Sequence, residues 1–357
     1  MPLQIGLSEG PDSGVEVEDD DLLYDDAGSS FVNSSGLSST TSIASSIRNY
    51  QYENGRRYHA FKEGLYTMPN DEQEQSRLEL HHHIHRLKLG GHLYRSPIPQ
   101  NISTILDLGT GTGVWAIEMA DKFPNARVIG NDLSPIQPPW VPPNLHFEVD
   151  DFEADWSHDT QFDFIHARDL QGSVSNYDRL VSQAYNQLNP GGWFEFAEVD
   201  LIVCGDDDTI QQAKSLKETT RLVKEASARM GRIMGTATEH MQRLSNAGFV
   251  NIREDVYKVS QRLLLCRPRS LSDQLHSQMP MSPWPKDAKL KELGRYYQVN
   301  MLESLDAYSL ALLTRVLHWP VEDVRVLLNG ARTELLDRNI HTYAKWFHVY
   351  GQKPRNS

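Results

Sequence analysis

Cysteine is scarce in this 357-residue sequence. The two cysteines, Cys204 and Cys266, lie far apart and outside any CxxC pattern. That argues against a disulfide framework and against a cysteine-built zinc site, and it fits a reducing compartment. Long apolar runs are missing too: no stretch approaches the roughly 20 residues a membrane-spanning helix needs. The first residues lack a basic patch followed by an apolar segment, so no secretory signal is read. Positive charge is in deficit, with 35 Lys and Arg against 48 Asp and Glu and a net charge of -13. A general nucleic-acid-binding surface is not expected from that balance.

The deficit is concentrated at one end. Residues 1–47 contain no Lys or Arg and hold nine acids, from Glu9 to Asp26. From Gly28 to Ser46 the composition turns to Ser, Thr, Gly and Asn. Such a segment buries too little apolar surface to offset its ordering entropy, and disorder is expected. A solvated leader is the simpler reading, and a docking or phosphorylation tail the functional one. Beyond it, Glu53 to Leu93 carries helical periodicity, with Leu78, Leu80, Ile84, Leu87 and Leu89 spaced to face a core. Residues 48–100 are therefore expected to form an N-terminal helical cap, closed by a loop with Pro97 and Pro99.

From Ser103 the pattern changes. Thr104-Ile105-Leu106-Asp107-Leu108 is a short apolar run, as expected of a strand buried on both faces. It runs into Gly109-Thr110-Gly111-Thr112-Gly113, after which Val114, Ile117, Ala120 and Phe123 recur at helical spacing. Arg127 to Asn131 reads as a second strand ending on Asp132. Strand, glycine turn, helix, strand, acid is a nucleotide-binding half of a doubly wound sheet. Glycines let the backbone approach a ligand, the helix start offers free N–H groups, and the acid can accept from both hydroxyls of a ribose.

Two cofactors compete for such a turn. Gly111 to Ala116 fits the G-x-G-x-x-A dinucleotide variant. The fuller string from Asp107 to Gly113 reads D-x-G-x-G-x-G. An acid two residues before the first glycine suits a cationic α-amino group and repels a pyrophosphate, favouring S-adenosylmethionine over NAD. Leu145–Val149 reads as a third strand, followed by Asp150-Asp151-Phe152, where an acid can accept from an adenine amino group. Phe162–His166 reads as a fourth strand, and Trp193–Val199, after the Asn189-Pro190-Gly191-Gly192 turn, as a fifth.

The segments ILDLGTGTGVW, VIGNDLSP, FEVDDFEADW, FDFIHARDL and LNPGGWFEF together resemble the class I S-adenosylmethionine-dependent methyltransferases. More narrowly, residues 53–83, SPWPKDAKLKELG and HTYAKWFHVYGQKP resemble the fungal LaeA-like methyltransferases, whose members include velvet-complex regulators and tailoring enzymes of secondary metabolism. The resemblance covers about residues 50–354. It implies an α/β fold: a Rossmann-like doubly wound seven-stranded sheet with helical N-terminal and C-terminal lid elements. Residues 101–258 would form the cofactor-binding core and 279–354 the helical lid and final strand.

By that resemblance Asp107, Gly109, Gly111 and Gly113 surround the methionine moiety of S-adenosyl-L-methionine. Asp132 holds the ribose hydroxyls, with Leu133 against the adenine. Asp151 takes the adenine amino group, in competition with Asp150, and Phe152 packs beside it. Arg168 lies where the strand ends meet the ligand, or else pairs with a neighbouring acid. Arg56, Tyr58 and Tyr66 are expected either to cap the cofactor or to pack at the surface. Methyl transfer is an in-line displacement needing chiefly position, and an acceptor of high pKa also needs a base. His166 is the candidate catalytic base, an orienting role being the alternative.

His81, His82, His83 and His85 form the most conspicuous cluster. His81 and His85 are spaced to share a helix face, as paired zinc histidines are. With no third ligand evident, no metal is expected, and solvated or capping histidines are the reading. In the C-terminal half, Asp206–Ala247, Leu290–Leu317 and Val321–Leu336 read as helices and His348–Gln352 as a last strand. Met230, Met234, Trp284, Tyr296, Tyr297, Trp319 and Trp346 are candidate pocket residues, with core packing the default. Val259 to Gln278 departs from the family pattern as an irregular insertion, open to explanation as a retained intron.

The leading expectation is a methyltransferase acting on an O or N atom of a small natural product. The alternatives are a LaeA-like regulator with a velvet-type protein partner, an NAD-dependent oxidoreductase and a silent cofactor-binding scaffold. Cytoplasm or nucleus is the expected location, with no membrane and no nucleic-acid partner.

Overall fold

The computed structural model describes residues 50–59, 67–257 and 279–355. The insertion read at 259–278, Tyr66 and the acidic segment fall outside the described residues.

Seven strands form one sheet, in the order β5(Leu145–Val149), β4(Arg127–Asp132), β3(Thr104–Leu108), β6(Phe162–Arg168), β7(Leu188–Val199), β11(Trp346–Gln352), β8(Val250–Tyr257). The first five run parallel, and β11 is antiparallel to both of its neighbours. Chain order reverses between β3 and β6, and ligands of open α/β sheets bind in the crevice at such a switch point. Strand alternation sorts the side chains. Ile105, Val128 and Phe164 face one core with Trp115 and Met119 of α2(Val114–Lys122). Leu106, Leu108, Ile165, Ala167, Phe194 and Phe196 face the other. The sheet is thus covered on both sides, which is why its central strands read as unbroken apolar runs.

The N-terminal region departs from the expected single helix. Gln51–Glu53 (β1) and Arg56–Tyr58 (β2) pair as an antiparallel hairpin. Asn54 and Gly55 carry positive φ, 51° and 80°, and Asn-Gly is the dipeptide that two-residue hairpins favour. The helix, α1(Glu72–Lys88), begins only after Pro69 and Asn70. Asp71 caps it, accepting from the Glu74 N–H at 2.9 Å. Arg56 reaches back to Asp71 with two bonds of 2.6 and 2.9 Å, locking the hairpin to the helix start.

Of the predicted apolar stripe, Ile84 and Leu89 are buried and Leu80 packs on an apolar cluster, but much of the inward face of α1 is polar. Its buried residues are Glu74, Arg77, His81, His82, Ile84, His85 and Lys88, while Leu87 is exposed. This polar face lies over the strand ends, where carboxylates and a guanidinium await partners.

The C-terminal helices α4(Lys214–Arg229), α6(Ala288–Ala311) and α7(Val321–Leu336) build a separate apolar cluster. Leu216, Leu222, Leu305 and Leu328 meet Ile84 of α1 and Trp346 of β11 there. The Glu334 carboxylate caps α4, accepting from the Ser215 and Leu216 N–H groups at 2.8 Å each. Helix α3(Tyr177–Gln187) joins β6 to β7, a short helix α5(His240–Asn246) leads into β8, and β9(Met279–Pro280) pairs with β10(Tyr343–Ala344).

Candidate active site

A cavity opens at the carboxyl ends of β3, β4, β5 and β6. Asp107, Gly109, Gly111, Asp132, Leu133, Asp151, Phe152 and Arg168 all line it. The glycine turn is built for close approach. Gly109, Gly111 and Gly113 have φ of 62°, 58° and 78°, a region that L side chains enter only with strain. A Cβ on Gly109 would lie 2.6 Å from Leu170 Cδ2, and one on Gly113 would collide with the Phe147 ring. Gly113 caps α2 and is not among the cavity-lining residues.

The two acids are held differently. Asp107 is buried, with one oxygen accepting from Thr110 Oγ1 at 2.6 Å and the other 2.8 Å from His166 Nδ1. Asp132 accepts from the Ser134 N–H at 2.9 Å and the Gly111 N–H at 2.8 Å. Burial nevertheless pushes its pKa above the ordinary carboxylate value. Asp151 accepts from the Glu153 N–H at 2.9 Å and lines the cavity, whereas Asp150 is exposed and does not. Phe152 is buried beside Gly109.

Arg168 lies 3.1 Å from His82 Nδ1, and burial lowers its pKa. Among the described residues no carboxylate lies at ion-pair distance from it, which leaves a guanidinium facing the cavity. His82 is buried neutral, its pKa lowered to about 2 first by burial and then by the Arg168 charge.

His166 lines neither this cavity nor the one beside it. It stacks on Trp115, ring centroids 3.7 Å apart and nearly parallel, and its bond to Asp107 is its polar contact. Tyr58 also stands apart. It is buried under the Arg315 guanidinium, 4.6 Å from the ring centroid, and lines neither cavity. Burial raises its phenol to about 12.

A second cavity adjoins the first and shares Arg77, His81, Asp169, Gln171 and Tyr308 with it. Its remaining wall is mostly apolar, including Val199, Leu216, Val223, Met281 and Leu305. Of the aromatic and methionine candidates, Met234 and Tyr297 line it. Trp346 instead packs 4.3 Å from the His85 ring, and Trp284 donates its indole N–H to the Thr342 carbonyl. Arg77 is gripped by Glu74 through bonds of 2.7 to 3.1 Å, and Asn300 of α6 donates to the Arg77 carbonyl. The wall between the cavities is therefore tied to the C-terminal helices.

Sequence reasoning missed this shared wall, and it misjudged the histidines. His81, His82 and His85 are 8%, 4% and 3% exposed, so they are core residues rather than solvated ones. Asp169 supplies the third group that spacing alone did not reveal. Its Oδ2 lies 2.9 Å from His81 Nε2 and 3.2 Å from His85 Nε2. Burial alone would raise Asp169, but the two histidines more than offset it and hold its pKa well below the ordinary value. Burial pushes His85 well down, to the neutral form. The available signal was Asp169 itself, one residue past the fourth strand.

A family model described as a methyltransferase domain matches residues 80–254. Methyltransferase pytC of Aspergillus terreus is 38% identical over 318 residues, spanning 89% of this chain and 92% of that protein. Secondary metabolism regulator LAE1 of Cochliobolus heterostrophus is 38% identical over 298 residues, 82% of this chain and 91% of that one. Protein-methionine methyltransferase laeA of Emericella nidulans is 34% identical over 310 residues, 85% and 77%. With its switch-point glycine turn and strand-end carboxylates, the chain belongs to the LaeA-like fungal family of class I S-adenosyl-L-methionine-dependent methyltransferases.

Proposed function

We propose that this enzyme transfers the methyl group of S-adenosyl-L-methionine to an oxygen or nitrogen atom of a small natural product held in the second cavity. The observation that carries the reading is the pair of cavities joined through one polar wall. A polar crevice of acids and glycines suits the cofactor, and an apolar chamber beyond it suits an acceptor. The sulfonium supplies an activated methyl, so the protein contributes position and exclusion of water.

In this reading Asp132 holds the ribose hydroxyls and Asp151 the adenine amino group, with Leu133 and Phe152 against the base. Asp107 stands near the cofactor's amino group and Arg168 meets its carboxylate. His166 holds Asp107 in place and does not touch the acceptor. The name of one relative, a protein-methionine methyltransferase, favours one further reading, a protein acceptor.

The test uses the full chain with S-adenosyl-L-methionine and a panel of hydroxylated and amino-bearing aromatic metabolites, followed by mass spectrometry. A metabolite gaining one methyl group while the cofactor is demethylated is the expected result. Methyl gained only by a protein, the enzyme itself included, would establish the second reading in its place.

A further inference from the structure

We propose that His81, His85 and Asp169 form a binding site for one divalent transition ion, with the ion's open positions facing the acceptor cavity. Nothing in the cofactor site uses these three groups together. His81 and His85 are four residues apart on α1, which brings both imidazoles to one face. Asp169 leaves β6 with φ of 53°, and its N–H is fixed to the Ala197 carbonyl at 3.0 Å. That turn aims the carboxylate at the helix across 88 positions of sequence.

The two nitrogen-to-oxygen spacings suit an ion. The two nitrogens lie 2.9 and 3.2 Å from the same carboxylate oxygen, and all three atoms fall within 4.8 Å of one another. Ligands about 2.0–2.2 Å from a shared ion, at angles near 90–110°, are separated by about 2.9–3.4 Å. Two imidazoles and one carboxylate are the donor set of open zinc sites and of non-haem iron sites, whereas magnesium and calcium prefer oxygen alone. The side chains are 10%, 3% and 18% exposed, so solvent does not compete strongly. Glu74 neutralises the nearby Arg77 guanidinium.

His81 and Asp169 line both cavities, so an ion there would meet a lone-pair donor on the acceptor. This use of the site rests on the methyl-transfer reading above, while the binding itself does not.

The full chain, purified without a polyhistidine tag and stripped with a chelator, is titrated with zinc and with cobalt(II). One equivalent of either is expected, with a cobalt visible spectrum of low coordination number and a zinc-dependent rise in Tm. His85→Gln and Asp169→Asn are expected to weaken zinc binding by at least about tenfold. Absence of stoichiometric binding to the wild-type chain would overturn the site, leaving only a carboxylate shared between two imidazoles. Equal affinity in the variants would overturn it as well. The cobalt spectrum of the wild-type chain decides the matter even where a variant fails to fold. S-adenosyl-L-methionine is titrated into the same samples: zinc binding without cofactor binding would sink the methyltransferase reading and leave the metal site standing.

Discussion

Asp132 commits both of its oxygens to backbone N–H groups, yet each oxygen keeps a lone pair for a ribose hydroxyl. Replacing it with Ala removes a charged acceptor and is expected to weaken S-adenosyl-L-methionine binding by about 2 kcal/mol, roughly thirtyfold, in a calorimetric titration. Its raised pKa gives the effect a pH signature. The ionised form is the better acceptor, so affinity should fall as pH drops through a value above the ordinary carboxylate range. Asp132→Asn should bind more weakly and lose that dependence. At this scale the candidate cofactor residues were legible because the glycine turn and the acids are local to strand ends. The shared wall was not. Arg77, His81 and Asp169 come together only through folding, and no spacing along the chain announces a contact between His81 and Asp169.

The start of α1 concentrates several contributions in one carboxylate. Asp71 caps the helix, accepts from the Arg57 N–H at 3.2 Å and pairs with the buried Arg56. Asp71→Ala should cost about 3 kcal/mol in urea unfolding, because it removes a cap and leaves a buried guanidinium with a weaker partner. Asp71→Asn keeps the cap and should lose less. The hairpin before it carried readable signals in Asn54-Gly55 and in Asp71 three residues ahead of Glu74, a capping-box pattern. Leucine periodicity masked them, since it suggested one long helix. That same periodicity misdirected the reading of α1's inner face. Ile84 meets an apolar cluster as the stripe predicts, but His81, His82 and His85 beside it face Asp169, Arg168 and Glu118. The parallel strands gave no such difficulty, because burial on both faces leaves little polar pattern to misread.

The whole molecule holds several histidines in neutral form. His82 is lowered to about 2 and His240 to about 3, both first by burial, and His85 is lowered too. Above the unfolded value of about 6.5, neither state binds the extra proton, so no difference arises. Below it the unfolded chain takes up protons that the folded one refuses. Stability should therefore fall with falling pH, by about 1.4 kcal/mol per pH unit for each such histidine. Glu198, pushed well up by burial, opposes this decline, while Asp169 and Glu195, held below their ordinary values, add to it only once pH falls below about 4. Urea unfolding between about pH 7 and pH 5 should show the decline. His240→Phe, which keeps an aromatic ring against Phe196 at 4.1 Å, should make the decline shallower by one histidine's share. Full stability at mildly acid pH would mean that these rings are charged in the fold.

The strand nearest the C-terminus, β11, lies between β7 and β8 and bonds to both. During synthesis on a ribosome the two flanking strands emerge first, and their facing edges stay open until the last segment arrives. Open edges recruit other chains, so a nascent or truncated form ending before Trp346 should associate with itself or with chaperones. The arrival of β11 also brings Trp346 beneath His81 and His85, ring centroids 5.2 and 4.3 Å away. Completion of the sheet and the backing of His81, which lines both cavities, are thereby made one late event.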